Sequence, residues 1–153
     1  MLSLDIEFFN PTSFPNSLKS LAKVFPTLSN LSICVHTHEV MDMDGLVHLS
    51  RMSLTQLDFV LSNALAGQVA ASDSPLLFPN LLVLKLHSES LATISLFLSR
   101  TRLLAITNFC AFPESCPSSQ DISAFLANVQ TSGIGHSVRN FDCINGPTHR
   151  MSR

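Results

Sequence analysis

Apolar and polar positions along this chain follow two alternating rhythms. In the first, apolar residues step by two between polar neighbours, as in Leu31 and Ile33, Leu57 and Phe59, and Leu84 and Leu86. This is the pattern of a strand with one buried face. In the second the step lengthens to three or four, through Leu18, Leu21, Ala22 and Phe25, then Leu46, Leu49 and Met52, then Leu91, Ile94, Phe97 and Leu98, and finally Ile122, Phe125, Leu126 and Val129. Those are helical stripes. The pattern predicts strands over 30–34, 56–60, 82–87, 104–108 and 139–143, and helices over 17–25, 45–52, 89–99 and 119–131. Ser118-Ser119-Gln120-Asp121 supplies a capping-box start for the last helix, and Gly133 a stop. Asn10–Asn16, Gly67–Ser74 and Cys110–Ser118 carry the Pro, Gly, Ser and Asp of loops. Strands that alternate with helices pair in parallel, with the helices on one side.

The two rhythms recur at a fixed distance. Phe25-Pro26-Thr27-Leu28-Ser29-Asn30-Leu31-Ser32-Ile33 and Phe78-Pro79-Asn80-Leu81-Leu82-Val83-Leu84-Lys85-Leu86 share the frame F-P-x-L-x-x-L-x-[IL], and Leu54-Thr55-Gln56-Leu57-Asp58-Phe59 lies midway between them. The period is thus about 26 residues, within the range of repeat architectures. Weaker copies begin at Met1, Leu103 and Val138. The fifth copy admits two registers. Leu103-x-x-Ile106 turns Asn108 inward, whereas a start at Thr101 turns Leu104 and Ile106 inward; both keep even-numbered residues inside. The spacing fits a short leucine-rich-repeat solenoid of the α/β class. Residues 1–153 then form one domain of five or six irregular repeats, a partial horseshoe with parallel strands on the concave side, helices on the convex side and a polar tail over 145–153.

Gly45–Leu57, Leu77–Leu84 and Ser119–Leu126 resemble the leucine-rich-repeat region of the expanded F-box proteins of mushroom-forming fungi. In that family an N-terminal F-box docks a cullin-type ubiquitin ligase, and the repeats are thought to hold the substrate. No leucine- and proline-rich three-helix segment precedes the first repeat here, so the resemblance implies the recognition half without the docking half.

Composition narrows the function. The 153 residues are 46 % hydrophobic and 13 % charged, which argues for a buried core and against intrinsic disorder. Nine Lys and Arg against eleven Asp and Glu leave no basic stripe for nucleic acid or an anionic membrane. Acidic residues near Met1 oppose a secretory signal, and Pro79, Lys85, His87 and Glu89 interrupt the most apolar stretch, so an intracellular protein without a membrane span is expected. Cys34, Cys110, Cys116 and Cys143 are scattered and read as reduced thiols.

Candidate chemistry is sparse. Cys34-Val35-His36-Thr37-His38 sets three zinc-ligand types on alternate positions, but no fourth ligand accompanies them, and ordinary strand-exit histidines are the expectation. Asp42 and Asp44 lack the further acids of a calcium loop and read as a helix start. Gly133-Ile134-Gly135-His136-Ser137 lacks a third glycine and an upstream strand, so it reads as a helix end and a turn. No nucleophile motif is present, and no enzyme, metal or cofactor is expected. What remains is a surface. Its outward rows are expected to be Ser3-Asp5-Glu7, Asn30-Ser32-Cys34, Gln56-Asp58-Val60, Val83-Lys85-His87, Ala105-Thr107-Phe109 and Asn140-Asp142-Ile144, with Asp5, Ser32, Asp58, Lys85, His87 and Thr107 as contact residues for a protein partner. The alternative is a truncated or structural remnant of a longer repeat protein with no activity of its own.

Overall fold

The computed structural model describes residues 3–8, 14–35, 47–60, 76–115, 117–134 and 140–143. The elements run β1 (Ser3–Phe8), α1 (Phe14–Val24), β2 (Asn30–Val35), α2 (Val47–Ser50), β3 (Gln56–Val60), β4 (Leu76–Phe78), β5 (Val83–Ser88), α3 (Leu91–Ser99), β6 (Thr101–Leu103), β7 (Asn108–Pro113), α4 (Ser119–Thr131) and β8 (Asn140–Cys143). Six strands form one sheet in the order β1-β2-β3-β5-β7-β8, every pair parallel. The fold is therefore α/β with a parallel sheet, as the alternating rhythms predict.

The repeat frame is what aligns the strands. Leu4, Leu31, Leu57, Leu84, Phe109 and Phe141 stand side by side in register. Three residues before the strand leucines, Leu28, Leu54, Leu81 and Ile106 are buried, and two residues after them, Ile33, Phe59, Leu86 and Ala111 are buried as well. Helix residues Leu18, Leu21, Leu49, Leu91, Ile94, Phe97, Leu98, Phe125 and Val129 complete one contiguous core on that side of the sheet. Burying a leucine contributes roughly 1.5–3 kcal/mol, so this repeated column is the main stabilising feature.

A second repeated device fixes the strand entries. The carbonyl of Ser29 accepts from the amides of Thr55 and Gln56, that of Thr55 from Leu82 and Val83, and that of Leu82 from Thr107 and Asn108. Each repeat thereby hydrogen-bonds the next one before its strand begins. At the other end, Glu114 N donates to Ser88 O and Ser115 N to Glu89 O, carrying the ladder past the last residues of β5 and β7. Pro26-Thr27 and Pro79-Asn80 form the turns that lead into these entries.

The fifth repeat corrects the sequence reading. The strand is Asn108–Pro113, not 104–108, so Cys110–Pro113 is strand where a loop is predicted. Its buried residues are the odd-numbered Phe109, Ala111 and Pro113. Neither expected register holds: Asn108 faces away from the core, and Leu104 is 64 % exposed. Leu103 occupies the place of Phe25 and Phe78, and Ile106 that of Leu28 and Leu81. The frame starts at Ile106, and the reading that starts it at Leu103 is three residues early.

Smaller departures concern the helices and an added ladder. Helix α1, Phe14–Val24, takes in the last residues of the loop predicted over Asn10–Asn16, and α2, Val47–Ser50, ends two residues short of the predicted 45–52, of which 45 and 46 lie outside the described residues. Helix α4 matches its predicted span, and Ser118 and Asp121 form the capping box in both directions. Its end is marked by Gly133, whose φ of 95° lies in the left-handed region. A two-stranded parallel ladder, β4 with β6, has no counterpart in the prediction; it links helix exits, with Leu76 N donating to Arg100 O and Leu103 N to Ser132 O. Five hydroxyl residues are buried around α3 and its neighbours, namely Ser88, Thr93, Ser95, Thr101 and Ser132. All are hydrogen-bonded; Ser95 Oγ receives Asn128 Nδ2 at 2.7 Å and so ties α3 to α4.

Candidate functional site

The buried column leaves alternate strand residues on the opposite face, and register arranges them in three rows across the strands. At the strand entries lie Ser3, Asn30, Gln56, Val83, Asn108 and Asn140. The middle row is Asp5, Ser32, Asp58, Lys85, Cys110 and Asp142. Toward the strand ends come Glu7, Cys34, Val60, His87 and Phe112. On β1 the outward residues are exposed, and on β2, β3, β5 and β7 they are half-buried, each hemmed in by its cross-strand neighbours.

Of the six expected contact residues, Asp5, Ser32, Asp58, Lys85 and His87 fall on this face. Thr107 does not. It precedes β7, and both its amide and its hydroxyl are directed at Leu82 O, at 2.8 Å and 3.1 Å. Phe109, expected in an outward row, is fully buried, and Ala105 precedes the strand. The outward residues of β7 are Asn108, Cys110 and Phe112, which the sequence reading missed. The signal for them is arithmetic: a separation of 25 residues between Leu84 and Phe109 reverses the parity of inward positions, as the separation of 27 between Leu57 and Leu84 already does. Ile144, His36, His38, Asp42, Asp44, Cys116 and the segments 67–74 and 145–153 lie outside the described residues.

The centre of the face is a three-strand contact. His87 Nε2 stands 3.0 Å from Asp58 Oδ1 on the adjacent strand, with the two side chains 35 % and 33 % exposed. Oδ1 itself is closed off from solvent and has no donor aligned on it, so the approach is a close polar contact without hydrogen-bond geometry. On its other side the imidazole stacks on Phe112, with ring centroids 4.5 Å apart and planes 14° from parallel. Burial pushes the Cys34 thiol above its ordinary range, and the carboxylates of Glu7 and Asp58 push it further in the same direction. Cys34 and Cys110 are not in disulfides. Elsewhere, burial lowers the His48 imidazole, helped by Arg51 and Lys19.

Chemically, the face offers amides at one rim, charges in the middle and a mixture of thiol, aliphatic and aromatic groups at the other rim. Among the described residues no three His, Cys, Asp or Glu side chains converge as metal ligands would, and no helix is long and apolar enough to cross a membrane. No protein-family model, curated protein or solved structure matches the chain.

Proposed function

We propose that the chain is a short leucine-rich-repeat solenoid, a partial horseshoe whose concave side is the row-bearing face, acting inside the cell as a non-catalytic protein-binding module. The observation that supports this reading most is the register of the face. Repeats of 25 to 27 residues bring Asp5, Ser32, Asp58, Lys85 and Cys110 into one line across five strands, so residues far apart in sequence form one continuous surface. Parallel strands added in chain order, with helices packed on one side, also support the solenoid. The resemblance of Gly45–Leu57, Leu77–Leu84 and Ser119–Leu126 to fungal F-box repeats adds a role. The module would present a protein substrate, and an F-box segment would couple it to a cullin-type ubiquitin ligase.

Quantitative affinity capture tests the reading. The wild-type chain is compared with Lys85→Glu on the face and Lys23→Glu on the exposed end of α1, which carries the same charge change. A partner retained by wild type and Lys23→Glu but lost by Lys85→Glu supports a binding face. A partner retained equally by all three counts against this face, and no specific partner retained by any of them leaves a structural repeat segment with no independent activity.

A further inference from the structure

The open face is electrically divided, and the division specifies what fits it. On β1, β2 and β3 the outward residues include three carboxylates, Asp5, Glu7 and Asp58, and no cation. On β5 they are Val83, Lys85 and His87, which include the only lysine or arginine facing this way among the described strand residues. The floor between the carboxylates is low. Ser32 stands in register between Asp5 and Asp58, and Cys34 between Glu7 and Val60, so the small side chains of β2 have a longer acid beside each of them on β1 and, at Ser32, on β3 as well. Glu7 and Asp58 each disfavour the Cys34 thiolate, so their fields meet over that floor from opposite sides.

We propose that this face takes an extended segment of a partner protein bearing a basic side chain, seated over Ser32 and Cys34, and an acidic side chain over Lys85. The inference rests on the protein-binding reading above and adds the chemistry of the partner. Neighbouring strands lie about 4.8 Å apart, so β2 and β5, two steps apart, are separated by about 10 Å. An extended polyproline-like segment rises about 3.1 Å per residue with three residues per turn, so side chains about three positions apart match both the distance and the face. The expected sequence is Arg or Lys followed, or in the reverse chain direction preceded, at about three residues by Asp or Glu. A polyanion is disfavoured by the three carboxylates.

A random-peptide display selection on the full chain tests this, with each enriched peptide remeasured on Asp58→Lys and Lys85→Glu after both variants are shown to melt as wild type does. Support is a basic-acidic pair at about that spacing, at least tenfold weaker binding to either variant, and recovery when the peptide's corresponding charge is reversed. Peptides that compete for the face yet bind the two variants as well as wild type overturn the charge pairing and leave the binding-module reading standing. Enrichment of no peptide that needs this face overturns both.

Discussion

Thr107 and Leu82 are joined twice: the amide and the hydroxyl of Thr107 both donate to the Leu82 carbonyl. Thr55 makes the same pair of bonds to Ser29 O, at 2.8 Å and 3.3 Å. A threonine just before a strand therefore serves as a clamp between repeats. Thr107→Val keeps the amide bond and loses only a solvent-exposed hydroxyl bond, so it should cost no more than about 1 kcal/mol. Ile106→Ala, one residue earlier and fully buried, should cost about 2–5 kcal/mol. Urea denaturation of the two variants checks the contrast.

The parity change at β7 has its own test. Phe109→Ala should destabilise by about 3–5 kcal/mol and Leu84→Ala by about 2–5 kcal/mol, because both side chains are fully buried. Cys110→Ala and Lys85→Ala, pointing the other way, should each cost less than about 1 kcal/mol. If Cys110→Ala proved as damaging as Phe109→Ala in the same denaturation experiment, the register of β7 would be wrong.

Gly133 is required by two separate constraints. Its φ is 95°, and a Cβ there would sit 2.9 Å from the carbonyl oxygen of Leu103. Gly133→Ala should therefore cost about 1–3 kcal/mol, the range for a non-glycine residue in a sparsely populated backbone region. A melting temperature equal to that of wild type would show that the α4 exit does not press on β6 as described.

Two titrating groups give opposite pH trends. The Cys34 thiol is raised, so the folded state holds its proton where the unfolded state releases it; this stabilisation is present at neutral pH and is lost as pH rises through and beyond the ordinary thiol range. The His48 imidazole is lowered, so its contribution is present above the ordinary histidine range and is lost as pH falls. Iodoacetamide should accordingly alkylate Cys34 more slowly in the folded chain than in urea at pH 8, and Glu7→Gln or Asp58→Asn should quicken the folded reaction. An unchanged rate in both variants would remove the carboxylates from the account of this thiol.

The parts of this fold legible from the chain are those in which one physical cause acts alone. Period-two apolar steps located β2, β3 and β5 to within a residue or so, and a self-contained cap with a glycine stop located α4. The fifth repeat failed because three apolar residues, Leu103, Leu104 and Ile106, compete for one frame, and only burial against α3, α4 and the preceding strand decides among them. The β4–β6 ladder is illegible because its strands are three residues long, too short for a period-two pattern to stand out. Five of the six proposed contact residues were placed by alternation alone. Phe112, which stacks on His87, was hidden by the same misplaced frame.

The central claim is that the row-bearing side of the sheet is where the chain meets its partner. Site-specific photocrosslinking in cells tests it most directly, with benzoylphenylalanine placed singly at Ser32, at Lys85, and at two exposed helix positions, Lys23 and Ser123. The account predicts the same discrete protein adduct from Ser32 and Lys85 and none from Lys23 or Ser123. Adducts from the helix positions, with none from the sheet face, would contradict it.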